Sequence, residues 1–195
     1  MGRGLPVPIE TRDAATLYND AGFQVALVHE TKPRNILGLT LTLAHQGQRA
    51  TLTGTTAETI MAAVPIPAGL IGPRGALRVL WTVTADASNA NAKDFRLRLT
   101  PDGNLAGSLQ IGMTNLVSQR ASRMMHSLHQ RAPGLCFTTA PTAQNGGQFV
   151  VVNTAAAEVA ADLGAAQWLV FTGQLGSAAD VIGLDALWVE ALPGV

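Results

Sequence analysis

Apolar and polar residues alternate in short segments along the chain after residue 50. Residues 75–84 have an apolar residue at every second position, and residues 93–99 repeat the pattern with Arg96 and Arg98 on the polar side. A period of two is typical of a β-strand with one buried face. Residues 108–113 alternate in the same way, and two further segments, residues 167–173 and 181–191, are predicted to be strands. Because turn-forming Gly, Pro, Asn and Asp residues separate these segments, the pattern predicts an all-β antiparallel sandwich.

The last two of these segments are predicted to be a final pair of strands joined through residues 176–180. One face of the second strand is predicted to hold four apolar residues: Ile182, Leu184, Ala186 and Trp188. All three tryptophans, Trp81, Trp168 and Trp188, are in phase with apolar positions. They are therefore predicted to lie in the core.

Two segments have mixed signals. Residues 121–130 fit a helix stripe or a strand, and the neighbouring strands favour a strand. Residues 154–166 have a helix-friendly composition, with Thr154 as a plausible N-cap and Glu158 in the first turns, and are predicted to be the one short helix of the chain.

The first 49 residues differ from the rest. Residues 1–19 contain Gly and Pro without periodicity, which is typical of an extended arm. Residues 23–29 and 36–44 are predicted to form a hairpin across residues 31–35. The expected organisation is therefore an N-terminal arm and hairpin over residues 1–49, which is a candidate attachment segment, followed by a sandwich domain over residues 50–195.

The composition narrows the possible partners. The chain has 195 residues, 13 basic and 13 acidic, and a formal net charge of +0. Such a chain lacks the field that concentrates polyanions, and no apolar run is long enough to span a bilayer, so neither nucleic-acid binding nor membrane insertion is expected. Charged residues are only 13% of the sequence, which predicts a surface that is covered by other subunits.

The charges are unevenly distributed. Residues 74–131 carry eight basic and three acidic groups, whereas residues 132–195 carry five acidic groups and no basic one. These two regions are expected to pair either within one sheet or across a subunit boundary, and cross-strand pairing within the chain is the simpler interpretation.

No catalytic signature is found in the sequence. It lacks a phosphate-binding loop of the Gly-rich type and a Gly-x-Ser-x-Gly elbow. His126 and His129 would point to opposite faces of a strand, and Cys136 is predicted to be a small buried thiol. Neither an enzyme, nor a cofactor, nor a metal site is therefore expected. Glycoside cleavage needs a pair of carboxylates, and Asp180, Asp185 and Glu190 are considered for this role only because they are acidic.

Two groups of residues are candidates for an interface. Arg96 and Arg98 project together from one strand face and can bind an acidic neighbour or a sugar acid. The segment 121–130 is rich in Met and His. The predicted interface residues are Arg96, Arg98, Met124, Met125, His126 and His129.

The strand and turn sequence resembles that of tailed-bacteriophage virion β-sandwich proteins. The similarity lies in an apolar-Pro-Ala-Gly turn at residues 64–69, a Gly-x-Leu-Arg strand at 75–79, an Asn/Ala loop with Lys93, a second strand at 95–99 and closing strands at 169–190. It covers about residues 50–195. It implies a jelly-roll-like module, usually trimeric, that decorates a capsid or belongs to a head fibre or tail. It carries over no catalytic residue.

The expected function is therefore that of a virion structural protein assembled in the host cytoplasm. A capsid-surface decoration or head-fibre protein is favoured, in which the N-terminal region binds the major capsid protein or another virion protein and the sandwich forms a homotrimer. One alternative is a tail-tip or fibre module that binds a host surface glycan or receptor. Another is a carbohydrate-active enzyme.

Overall fold

The computed structural model describes residues 14–18, 24–29, 40–86, 90–116, 120–139, 144–145 and 156–194. These residues form β-strands and turns without a helix. Accordingly, none of them belongs to a helix that could cross a membrane. The strands are β1 (Ala14–Tyr18), β2 (Gln24–His29), β3 (Leu41–Gln46), β4 (Ala50–Thr53), β5 (Thr59–Ile66), β6 (Ala76–Ala85), β7 (Lys93–Thr100), β8 (Leu109–Leu116), β9 (Arg120–Ala132), β10 (Leu135–Thr139), β11 (Gln144–Asn145), β12 (Ala156–Val159), β13 (Gln167–Leu175) and β14 (Val181–Leu192).

Two sheets pack as a sandwich. The first has the order β12-β10-β9-β6-β14-β3, with β4 also paired to β14, and the second has the order β11-β8-β7-β13-β5. Because β3 and β4 pair with different parts of β14, they act as one divided strand. The central strands β3/β4-β14-β6-β9 and β5-β13-β7-β8 then have the strand order of a jelly roll. Every pairing in the sandwich is antiparallel except β11 with β8. The predicted jelly-roll-like sandwich is confirmed.

The core lies between the two sheets and follows the predicted alternation in β6 and β7. Every second residue of both strands is buried. At the centre, the Trp81 indole lies edge-on to Phe95 and Phe171, with ring centroids 6.4 Å and 5.9 Å away. Large side chains from both sheets therefore fill the core, and burying one such side chain contributes roughly 1.5–3 kcal/mol.

A β-bulge changes the predicted faces of β14. Leu184 pairs with Val83 and Ala186 pairs with Thr82, so Asp185 is an extra residue on β14. An extra residue reverses the alternation that follows it. Beyond the bulge the buried residues are Leu187, Val189 and Ala191, and Trp188 is 41% exposed. The prediction that Trp188 lies in the core is wrong. Trp168 is half-buried, and of the three tryptophans only Trp81 is fully buried.

The N-terminal pairing also differs from the prediction. β2 pairs with β1 in a separate two-stranded sheet, whereas β3 pairs with β14. The predicted hairpin between residues 23–29 and 36–44 is therefore wrong, and the sandwich begins at Leu41 rather than at residue 50. Residues 1–13, the first part of the predicted arm, lie outside the described residues.

Three other expectations concern the second half of the chain. Residues 121–130 lie within β9, so the strand prediction is confirmed. The predicted helix at 154–166 is wrong, because β12 pairs with β10 and a turn follows; Thr154 itself lies outside the described residues. β13 and β14 are strands as predicted, but they do not form a pair. They belong to different sheets, and the turn between them crosses the sandwich.

The basic middle and the acidic end of the chain pair within the molecule. Arg78 on β6 contacts Glu190 on β14 at 3.3 Å, and Lys93 contacts Asp180 at 3.8 Å with both side chains buried. Arg131 contacts Glu158 at 3.5 Å, where both side chains are exposed. The intramolecular interpretation of the charge pattern is therefore confirmed for these pairs.

Candidate interaction surface

Four residues form a straight line across the outer face of the seven-stranded sheet. In register, Met125 on β9 lies opposite Leu80 on β6, Leu80 lies opposite Trp188 on β14, and Trp188 lies opposite His45 on β3. We call these four residues the apolar row. Neighbouring strands lie about 4.8 Å apart, so the row is about 14 Å long.

The apolar row is open to solvent. Met125 is 51% exposed and Trp188 is 41% exposed, while Leu80 is half-buried. The rings of Trp188 and His45 contact each other with centroids 4.9 Å apart. The remaining large exposed apolar residue in the described part of the chain is Ile60 on β5, in the other sheet. The apolar row is therefore a local concentration of exposed apolar surface and not a general property of the sandwich.

A charged pair borders the apolar row. Arg78 and Glu190 lie opposite each other, two residues along their strands from Leu80 and Trp188. Together with Leu80, Met125 and Trp188 they line a shallow depression of about 330 Å³. An apolar centre with a polar rim is the usual composition of a protein–protein contact patch, and Trp and Met are enriched in such patches.

The bulge at Asp185 creates the apolar row. Without the extra residue, the alternation set by Ile182 and Leu184 would bring Trp188 to the inner face. A change of phase is visible in the sequence, because the apolar series Leu187, Val189 and Ala191 is offset by one position from Ile182 and Leu184. That offset is the signal by which Trp188 could have been assigned to the surface.

The two candidate arginines lie on the other sheet and are already paired. Arg98 donates from Nε and Nη2 to the two carboxylate oxygens of Glu58, at 2.7 Å and 2.9 Å. Arg96 contacts Glu58 at 3.6 Å and donates to Asp94 at 2.6 Å. The Thr172 hydroxyl also donates to Glu58. Within the described residues the acidic neighbour predicted for these arginines is thus Glu58 of the same chain, and the guanidinium groups do not form an open anion site.

The carboxylate of Glu58 is stabilised in its charged form. Burial by itself raises its pKa, but hydrogen bonds from Arg98 and Thr172 and the positive charges of Arg98 and Arg96 outweigh this effect. The pKa of Glu58 therefore lies below its ordinary value. This makes the Glu58 cluster a stabilising element of the five-stranded sheet.

The four candidates from β9 are divided between its two faces. Met125 and His129 are exposed, whereas Met124 and His126 are buried between the sheets. The His126 ring lies edge-on to Trp81 at 5.9 Å and packs against Gly112 of the opposite sheet. Met125 belongs to the apolar row, while Met124 and His126 contribute to the core and present no surface to a partner. The interface role of Met125 and His129 stays a prediction.

Cys136 is a buried thiol. It donates to the side-chain oxygen of Gln130 and contacts the Ala161 carbonyl, each at 3.2 Å. Burial raises its pKa to about 11 and outweighs the lowering by a hydrogen bond from the Leu163 amide, while the charge of Asp162 adds a smaller rise. The thiol is therefore protonated at neutral pH, which is not the state of a cysteine nucleophile.

The three acidic residues considered for glycoside cleavage each face a different cation. Asp180 contacts Lys93, Glu190 contacts Arg78, and Asp185 contacts Arg49 at 3.4 Å. Gly183 leaves the room for the Arg49 side chain, because a Cβ at position 183 would overlap its guanidinium. In the described part of the chain, no three His, Cys, Asp or Glu side chains are grouped so that they could hold a metal ion.

Neither a protein-family model nor a curated protein sequence matches the chain.

Proposed function

We propose that this chain is a structural subunit of a tailed-bacteriophage virion, a capsid-surface decoration or head-fibre protein. In this proposal the outer face of the seven-stranded sheet joins the subunits of a homotrimer. The N-terminal region, residues 1–39, attaches the oligomer to the particle. The observation that carries the proposal is the apolar row, which presents Met125, Leu80 and Trp188 on the outer face of the seven-stranded sheet.

Two physical arguments favour association through the apolar row. Covering Trp188 and Met125 removes large apolar surfaces from water, and each fully buried side chain of this size contributes roughly 1.5–3 kcal/mol. The adjacent Arg78–Glu190 pair carries no net charge and lies at the rim of the apolar row. Its contact with a neutral partner surface therefore disfavours association only weakly. With 13% charged residues the chain also has few charges to prevent close packing of subunits.

The particle assignment has separate support. Jelly rolls are frequent in viral capsid proteins, and the turn and strand pattern at residues 64–99 resembles that of phage virion sandwiches. The sandwich begins at Leu41, so a segment of about 40 residues precedes the sandwich and can reach a second surface.

The interface is tested by the oligomeric mass of purified variants. Trp188→Ser and Met125→Ser should each shift the protein from trimer towards monomer in analytical ultracentrifugation. Ile60→Ser is the matched control, because it removes an equally exposed apolar side chain from the other sheet. If the two variants of the apolar row keep the wild-type mass at micromolar concentration, this surface is not the subunit interface.

The attachment is tested on virions of the encoding phage. Deleting residues 1–13, which precede β1, should abolish co-sedimentation with particles and leave a folded oligomer. Retention of the truncated protein on particles contradicts attachment through this region. Gold labelling in electron micrographs should place the protein on the head.

A receptor-binding module is the second candidate, and one observation favours it. Trp188 offers an aromatic platform beside the hydrogen-bonding groups of Arg78 and Glu190, a combination that suits a sugar ring. This candidate predicts gold labelling on the tail. It also predicts binding to host cells that Trp188→Ser abolishes and Trp188→Phe partly restores, with the oligomeric mass unchanged in both.

A further inference from the structure

Lys93 and Asp180 form a buried pair at one end of the sandwich. The Lys93 side chain has no exposed surface, that of Asp180 is 1% exposed, and Lys93 Nζ lies 3.8 Å from a carboxylate oxygen of Asp180. Lys93 continues the core-facing series of β7 and lies in register between Leu116 on β8 and Leu175 on β13. A lysine is seldom fully buried, because an ammonium group is costly to remove from water.

The backbone around the pair is closely packed. The turn that leads from β13 to Asp180 begins at Gly176, whose amide donates to the Ala92 carbonyl at 2.8 Å. A Cβ at position 176 would lie 2.9 Å from the same oxygen, so the turn approaches the start of β7 as closely as a glycine allows. The Asn91 carbonyl accepts an N–H of Lys93 Nζ at 2.9 Å. The amine and the carboxyl group are therefore both held in place.

We propose that Lys93 and Asp180 join in an isopeptide bond once the chain has folded. Transfer of one proton from the ammonium to the carboxylate gives a neutral amine and a neutral acid, which a site of low dielectric constant favours over two charges. The Nζ lone pair then attacks Asp180 Cγ, the bond from Cγ to the hydroxyl breaks, and the hydroxyl leaves as water with one proton of the amine. One amide bond is formed and one water is released, without an oxidant or any further reactant.

The geometry and the burial of the pair both favour this reaction. Groups held about 3–3.5 Å apart in a fixed orientation react as if their concentration were far higher than in solution. The separation of 3.8 Å between Nζ and the carboxylate oxygen is close to this range, and a small side-chain rotation closes the difference. Removal from water also makes a lysine amine a better nucleophile. Because the product amide is buried, bulk water does not reach it to hydrolyse it.

The bond connects the two sheets of the sandwich. Lys93 begins β7 in the five-stranded sheet, and Asp180 directly precedes β14 in the seven-stranded sheet. With a single cysteine, the chain cannot make a disulfide within itself. A link between positions 93 and 180 closes a loop of about 90 residues and restricts the unfolded chain as a disulfide does. The isopeptide bond thus supplies the covalent crosslink that the cysteine content does not.

Mass spectrometry of the full chain tests the bond. The denatured protein should be lighter than its sequence by one water molecule in nearly all molecules. Trypsin does not cleave after an acylated lysine, so the digest should contain residues 79–96 joined to residues 132–195, the tryptic peptide that includes Asp180. A mass equal to that of the sequence, or a separate peptide that ends at Lys93, overturns the proposal and leaves a buried ion pair only.

Two variants identify the source of the lost water. Lys93→Arg keeps the positive charge, but its guanidinium stays protonated and does not form the amide, so the mass of this variant should equal that of its sequence. Asp102→Ala is the matched control, because closure of the Asp102–Gly103 sequence to a succinimide also releases water; this variant should still lack one water molecule. A deficit that persists in Lys93→Arg, or that disappears in Asp102→Ala, overturns the assignment. If Lys93→Arg does not fold, the joined peptide of the wild-type chain decides by itself.

Discussion

The guanidinium of Arg98 and the carboxylate of Glu58 form a two-pronged hydrogen-bonded pair, with N–O distances of 2.7 Å and 2.9 Å. Glu58 precedes β5, and Arg98 lies on β7, so the pair crosses β13 between them. Thr172 on β13 donates to the same carboxylate. Three neighbouring strands of the five-stranded sheet are therefore connected through one acidic side chain, in addition to their backbone ladders.

Replacing Glu58 should lower stability measurably. Glu58→Ala removes two charge-assisted hydrogen bonds and leaves Arg98 half-buried without its carboxylate, so the free energy of unfolding should fall by about 2 kcal/mol. Urea denaturation followed by tryptophan fluorescence measures the change. Glu158→Ala is the control, because its pair with Arg131 is exposed and is expected to contribute about 0.5 kcal/mol or less. Equal effects of the two substitutions would contradict the role given to Glu58.

Glu58 should also make stability depend on pH. Its pKa is lower in the folded chain than the ordinary value of 4.5, so the folded state binds fewer protons than the unfolded state in this range. The contribution is complete above the unfolded pKa and is lost as the pH falls through the folded pKa. Stability should therefore decrease below about pH 5, and Glu58→Gln should flatten this part of the curve.

Asp102 adds a second step at lower pH. Hydrogen bonds from the Asn104 side chain, the Thr100 hydroxyl and the Asn104 amide lower its pKa from 3.8 to about 2. Its contribution is lost as the pH falls from 3.8 towards 2. Thermal denaturation from pH 7 to pH 2 should show that Asp102→Asn changes only the lower part of the curve. A uniform shift at all pH values would show that the substitution acts through something other than titration.

Gly112 should not tolerate a side chain. A Cβ at this position would lie 2.5 Å from atoms of the His126 ring, in a core where little can move. Gly112→Ala should therefore lower the free energy of unfolding by about 1–3 kcal/mol. Gly47→Ala is the control, because no atom lies within 4 Å of its Cβ position. In a double-mutant cycle, His126→Ala should reduce the cost of Gly112→Ala; simple additivity would contradict the contact.

Cys136 should react only after unfolding. Burial raises its pKa to about 11, so the thiolate is scarce at pH 8 and the sulfur is out of reach of reagents. Labelling with a thiol-specific chromogenic reagent should be slow in native protein and complete within seconds in guanidinium chloride. Rapid labelling of native protein would mean that this part of β10 opens frequently.

The sequence predicted the parts of the fold in which local pattern and tertiary packing agree. The alternation in β6 and β7 placed Trp81 and Phe95 correctly in the core, because one face of each strand is buried along its whole length. The pairing of β12 with β10 was missed, since an Ala-rich segment favours a helix locally and only the open edge of β10 makes it a strand. Pairing partners such as β1 with β2 depend on chain geometry that a period of two does not contain.

The candidate site was predicted in part. Met125 was identified as an interface residue, but Trp188 was assigned to the core because a single face was assumed for the whole of β14. The bulge at Asp185 separates two stretches with opposite phase, and each stretch alone is too short to contradict the assumption. The pairing of Arg98 with Glu58 could not be predicted, because Glu58 is 40 residues from Arg98 in the sequence and no local pattern relates them.

The attachment of β3 and β4 to β14 has a mechanical consequence. The N-terminal segment enters the sandwich through β3, which pairs with β14 over five residues, and Arg49 then fastens the corner between β3 and β4 to Asp185 and Asp86. A pulling force on the N-terminal segment along the axis of β3 acts in shear on all the backbone pairs between β3 and β14 at the same time. At the far end of β3, the contacts of Arg49 with Asp185 and Asp86 resist the same force. A subunit tethered through its N-terminal region would therefore load the edge strand β3 in shear along β14, and the strand would not peel away one pair at a time.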